Sequence, residues 1–132
     1  MANRITAINA YCPRINLRPT IQLPALVRYI SSRTGLSEGE VRVVLEELSD
    51  SIKFFNLQGQ GVKLVKLGTY LPKVTLSGQF GVSHRVDSVI KNALNAPGAF
   101  SGEILNRKNI GKSVDELLAQ WNAEHPDDPV QT

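Results

Sequence analysis

Between Leu26 and Leu94 the chain passes through two helical patterns, a short strand, a tight turn, a second strand pair and a third helical pattern, and this order constrains the fold more than any single motif. The second helical pattern is the strongest. Val41, Val44, Leu45, Leu48, Ile52 and Phe55 recur at spacings of three and four over roughly four turns, while Arg42, Glu46, Glu47 and Asp50 fall on the opposite face. Such a stripe must be covered, by this chain or in part by a second subunit. Ser37-Glu-Gly-Glu40 has the spacing of a capping box and predicts the start of that helix. The first helix is expected to begin near Pro24, whose missing N–H is harmless in a first turn, and to stop at Thr34-Gly35 with Leu26, Tyr29 and Ile30 as its buried stripe.

Gly59-Gln-Gly61 ends the second helix, after which Val62, Leu64 and Tyr70 alternate with Lys63 and later Lys73 in strand rhythm. The glycine pair is not a phosphate loop, because no Gly-Lys-Ser/Thr ending and no helix follow it. Ser77-Gly78-Gln79 predicts a turn between Leu71–Leu76 and Phe80–Val86. Period two then puts Val74, Leu76, Val82 and Val86 on one side of the hairpin, and Lys73, Thr75, Ser83 and Arg85 on the other. Asp87 is placed to cap a short helix from Ser88 to about Leu94, which Asn95-Ala-Pro-Gly98 stops.

The ends of the chain are less regular. Residues 1–22 carry Pro13 and Pro19, so the apolar Ile5, Ala7, Ile8, Tyr11, Ile15 and Leu17 are read as short extended segments rather than a helix. Residues 99–111 read as a loop anchored by Phe100, Ile104, Leu105 and Ile110. A second capping box, Ser113-Val-Asp-Glu116, opens a last helix carrying Leu117, Leu118 and Trp121, and residues after His125-Pro126 are expected to fray. The organisation expected is therefore an N-terminal extended segment (1–22), a core domain (23–95) and a C-terminal extension with one helix (96–132).

Charge is distributed unevenly along this order. Residues 51–112 hold nine basic side chains against Asp87 and Glu103, whereas residues 113–132 hold five acidic side chains and no Lys or Arg. The middle is thus suited to a polyanion and the tail is not. A hydrophobic content of 42% with 20% charged residues is that of a globular chain, and no apolar run reaches the roughly 18 residues of a membrane helix. With no apolar stretch behind Met1-Ala-Asn-Arg4 to act as a signal peptide, a cytoplasmic location is expected. The lone Cys12 rules out an internal disulfide. Two separated histidines, one cysteine and scattered carboxylates form no metal or acid–base cluster, so neither an enzyme nor a cofactor is expected.

Leu64-Val-Lys-Leu-Gly-Thr-Tyr70, the two preceding helices and Ser83-His-Arg-Val-Asp-Ser-Val-Ile-Lys-Asn-Ala-Leu94 together resemble the bacterial HU and integration host factor family of DNA-binding proteins. The resemblance covers about half of the chain. It implies an α+β fold, with two N-terminal helices packed under a three-stranded antiparallel sheet, a short third helix and, here, an extra C-terminal helix. Lys66 and Leu67 stand where the family usually has Gly and Phe, and His84 stands at a core Phe position. The hairpin is short and lacks the Arg-Asn-Pro tip with which family arms wedge between base steps, which argues for docking on a basic face rather than HU-type kinking. The extended termini are similar to a divergent branch whose members are often followed by an immunoglobulin-like β domain.

The partners implied are double-stranded DNA in the nucleoid and a second copy of the chain, with no membrane or small-molecule substrate. Phosphate contacts are expected first from Lys63, Lys66, Lys73 and Arg85, and second from Lys53, Lys91, Arg107 and Lys108. Thr75 and Ser83 are further possible donors. The alternative is an HU-like scaffold used as a protein-interaction or assembly module, for which the short hairpin and the acidic tail would be the contact surfaces.

Overall fold

The computed structural model describes residues 2–131, so Met1 and Thr132 at the outer edges of the two terminal segments lie outside the described residues. The chain divides into two compact units: one is residues 20–100, and the other joins the segment up to Pro19 with the segment from Ser101 onward.

In the 20–100 unit, α2 (Leu23–Thr34) has proline in its first turn and ends on Gly35, whose φ of 77° lets its N–H donate back to Ser31 O at 3.1 Å. Helix α3 (Glu38–Leu57) opens with the expected capping box: Glu40 N donates to Ser37 Oγ at 3.1 Å, and Ser37 N donates to Glu40 Oε2 at 2.9 Å. Strands β2 (Val62–Leu64), β3 (Gly68–Val74) and β4 (Phe80–Val86) form an antiparallel sheet in chain order. Asp87 caps α4 (Ser88–Asn95) by accepting from Val89 N at 2.9 Å. Helix α2 packs on α3, and α3 packs on β3 and β2. This is the α+β, HU-like arrangement implied by the residues, except that the two helices are not the first in the chain.

Several packing expectations change. The buried side chain of α2 is Val27; of the stripe the sequence suggested, Ile30 is half-buried while Leu26 and Tyr29 are exposed. On α3 only Val41 is fully buried; Leu45, Leu48 and Ile52 are half-buried, and Val44 and Phe55 remain exposed. Leu76 is not a core residue. It sits in the turn beyond β3, fully exposed, because the strands stop at the Val74–Phe80 pair.

The second unit corrects the reading of both termini. Residues Arg4–Tyr11 form a helix, α1, capped by Asn3, whose side chain accepts from Ile5 N at 2.9 Å. Pro13 follows the helix end and forbids only its extension. Ala7 and Tyr11, four apart, are the buried pair, and α1 packs on α5 (Val114–Glu124). Between them β1 (Arg14–Ile15) pairs antiparallel with β5 (Ile104–Leu105), so the 99–111 stretch is not merely a loop. A 3-10 turn at Arg107–Asn109 follows. Two asparagines there close the end of α1: Asn106 Nδ2 donates to Ala10 O (2.9 Å) and Cys12 O (3.1 Å), and Asn109 Nδ2 donates to Tyr11 O (2.7 Å). These carbonyls have no partner inside their own helix, so the side chains satisfy them.

Residues beyond His125 are held rather than frayed. Val130 is buried with Ala7 and Leu118, Val130 N donates to Asn122 Oδ1 at 2.7 Å, and Trp121 Nε1 donates to Asp128 O at 2.8 Å. The Trp121 ring stacks on His125 and meets Tyr11 edge-on. Cys12 is exposed. Among the described residues no helix is long and apolar enough to cross a membrane.

Tyr11 also donates its phenol hydrogen to the Glu124 carboxylate. That bond, with smaller contributions from burial and from the Glu124 charge, pushes the Tyr11 pKa up to about 12, and the same bond holds Glu124 below the ordinary carboxylate range. A carboxylate depressed in the folded state contributes stability above its unfolded pKa and loses it as pH falls through the folded one. Tyr11 contributes below its unfolded pKa, and that contribution is lost as pH rises through about 12. Tyr11→Phe is therefore expected to flatten the loss of stability as pH falls through and below the ordinary carboxylate range, as followed by the thermal midpoint of the single tryptophan's fluorescence. Equal acid dependence in both proteins would contradict the assignment.

Candidate nucleic-acid interface

The register of the three-stranded sheet sorts its side chains. Directly opposed residues of an antiparallel pair share a face. Val62 pairs with Tyr70 and Tyr70 with His84, Pro72 with Val82, and Val74 with Phe80, so these residues occupy one face. That face looks toward α3: Tyr70, Pro72, Val74, Phe80 and Val82 line a groove of about 910 Å³ with Ile52 of α3, and the intervening strand residues Lys73 and Gly81 also border it. On the same face, the Tyr70 and His84 rings stack at 4.3 Å.

The other face carries the charge. Lys63 pairs with Thr69, and Thr69 with Arg85, so a row of Lys, Thr and Arg crosses all three strands. At a strand spacing of about 4.8 Å the two cations stand roughly 10 Å apart at their Cα atoms. Lys73 lies on the same face, four residues, or about 13 Å, along β3 from Thr69, and Ser83 lies between them opposite Leu71. Lys63, Lys73 and Arg85 are exposed. Residues 62–86 include no Asp or Glu, so nothing within the strands neutralises them.

Lys66 is close to this row without being in a strand. It occupies the β2–β3 turn at φ 71°, with Leu67 N donating to Leu64 O at 3.0 Å, which is the turn position that glycine usually fills. The second-rank residues are scattered. Lys53 is on α3, 3.6 Å from Asp50, and borders the apolar groove; Lys91 is on α4; Arg107 and Lys108 belong to the 3-10 turn of the other unit.

Of the two hydroxyls considered from sequence, Ser83 is on the charged face. Thr75 is instead a turn residue, hydrogen-bonded through Oγ1 to Ser77 Oγ (2.9 Å) and Gln79 N (3.2 Å). Thr69, at the centre of the row, was missed. Its position follows from strand parity once Lys63 is set outward.

No curated protein is significantly similar to the chain. Among solved structures, the chain is similar to a variant of HU from Thermotoga maritima, at a TM-score of 0.49 and 12% identity over 57% of this chain and all of that one. Residues 5–93 match the model of the HU-HIG family, described as an HU domain fused to a wHTH, Ig or glycine-rich motif. With two thirds of its length inside that match, the chain belongs to the HU-HIG family.

Proposed function

We propose that the chain binds duplex DNA in the nucleoid with low sequence specificity, as a homodimer, through the outward face of its three-stranded sheet. The observation that carries this reading is the in-register row Lys63, Thr69 and Arg85, with Lys73 on the same face and Lys66 in the adjoining turn. Long cationic side chains on a flat strand face meet phosphates and release condensed counterions, which gives affinity that falls with salt and carries no direct base information. Lys53, Lys91, Arg107 and Lys108 are second-rank contacts on other elements.

The opposite face supports the dimer. Val74, Phe80 and Val82 are exposed along the apolar groove, a surface that an isolated soluble unit rarely leaves uncovered. A second copy offers the same apolar chemistry.

The test is fluorescence anisotropy on a labelled duplex of about 30 base pairs across a salt series. It compares the unaltered chain with the fourfold variant Lys63→Ala, Lys66→Ala, Lys73→Ala and Arg85→Ala. With about 0.9 in log–log slope per phosphate contact, the variant is expected to lose more than 100-fold in affinity near 0.1 M salt and to bind with a flatter slope. Absence of binding by the unaltered chain even near 50 mM salt would move the function to a protein-interaction module on the same scaffold.

A further inference from the structure

Lys73 and Gly81 oppose each other across β3 and β4 on the charged face. A strand side chain ordinarily stands roughly perpendicular to the sheet, and one opposite Lys73 would hold its stem upright. Here a β-carbon at position 81 would stand 3.1 Å from Lys73 Cε and 3.7 Å from its Cγ. The lysine stem therefore lies across β4, in the space that a side chain at 81 would fill. Leu71, the preceding residue on this face of β3, leans the other way: a β-carbon at Gly61 would lie 2.6 Å from its Cδ2. The two stems diverge, so the apolar one is turned toward β2 and the cationic one toward the strand that carries Arg85.

Nothing in the backbone calls for glycine at 81. Its φ is not positive, unlike that of Gly68 or Gly78. Glycine inside a strand weakens it by leaving no side chain to pack.

We propose that Gly81 is a positioning residue for phosphate binding: its missing side chain is the bed on which Lys73 crosses β4, carrying the ammonium over that strand on the charged face for a DNA backbone. The assignment rests on Lys73 being a phosphate contact, as in the function above.

The test measures duplex binding of the full chain carrying Gly81→Ala, Gly81→Val, Lys73→Ala, or Gly81→Val with Lys73→Ala, on the same duplex and salt series, with a thermal unfolding midpoint for each. Gly81→Val suits a strand and is expected to melt no lower than the unaltered chain. It is expected to bind roughly tenfold more weakly near 0.1 M salt, with the slope reduced by about 0.9, as in Lys73→Ala. The double variant is expected to bind no more weakly than Lys73→Ala, and Gly81→Ala to fall between. A purely structural glycine would lower the midpoint and leave the slope alone.

Unchanged affinity and slope in Gly81→Val would overturn the proposal, as would losses that add in the double variant. Should valine lower the midpoint, Gly81→Ala, paired with Lys73→Ala, gives the same non-additivity test. Lys73→Ala binding like the unaltered chain would remove the lysine contact and the proposal with it, and an unaltered chain that binds no duplex would refute the DNA reading as a whole.

Discussion

Gly68→Ala is expected to destabilise residues 20–100 by about 3 kcal/mol, one of the largest effects of any single added carbon in the protein. Gly68 is buried at the start of β3 with φ 151°, a conformation that side-chain-bearing residues rarely adopt. A β-carbon there would lie 2.3 Å from Arg85 O and 2.7 Å from His84 Nε2. The first of these is backbone and is fixed by the Gly68–Val86 and Thr69–Arg85 pairings, so relief requires the strands to separate. Gly78→Ala is the control. Its φ of 86° is also positive, but no atom lies within 4 Å of the added carbon, so only the backbone strain of about 1 kcal/mol remains. Urea unfolding followed by circular dichroism should separate the two variants by about 2 kcal/mol; equal losses would mean that the close approach to Arg85 O costs nothing.

The second large effect is expected at Leu118. Its side chain is fully buried against Ala7 and Val130, with Ile8 and Trp121 at the rim, and truncation to alanine removes it from a site that α1, α5 and the final segment enclose together. Leu→Ala at buried positions costs about 2–5 kcal/mol. The unit has about 50 residues, for which a total stability of roughly 3–8 kcal/mol is typical. Leu118→Ala is thus expected to unfold this unit or bring it close to the midpoint at room temperature. Trp121, stacked on His125, is the reporter: its emission should shift to longer wavelength and its melting transition should broaden or vanish. A native-like spectrum with an unchanged midpoint would show that the core is built elsewhere.

Local chemistry made some of this architecture legible in the sequence and left the rest hidden. Ser37, Asp87 and Ser113 cap helices where their spacing to Glu40, the Val89 amide and Glu116 predicts, because capping is decided within four residues. Strand parity correctly set Lys73, Ser83 and Arg85 on one face, since period two needs no knowledge of the partner strand. By contrast, α1 was masked by Pro13, although what makes it a helix is the Asn3 cap and contacts with α5, a hundred residues away in the chain. Val130 looked like part of a polar tail for the same reason. The choice between Val27 and Leu26 on α2 depended on where α3 lies, which propensity does not encode. In the candidate site, a count of charge along the chain put Arg107 and Lys108 beside the strand lysines, whereas the fold places them in a different unit. Gly81 carried no signal at all, because its use depends on which residue sits across the strand.

The pairing of α1 with α5 has a consequence for the order in which the protein is made. Tyr11 and its carboxylate partner Glu124 are separated by 113 positions, so α1 leaves the ribosome well before the helix it packs on. At about 5–20 residues per second, α1 waits roughly 6–20 seconds for α5, while everything needed for α2, α3 and the sheet has already emerged. Eight residues with two buried positions are too short to hold a helix alone in water. Until α5 emerges, the apolar side chains of α1, among them the Ala7 and Tyr11 that it buries in the folded unit, have no surface to pack on.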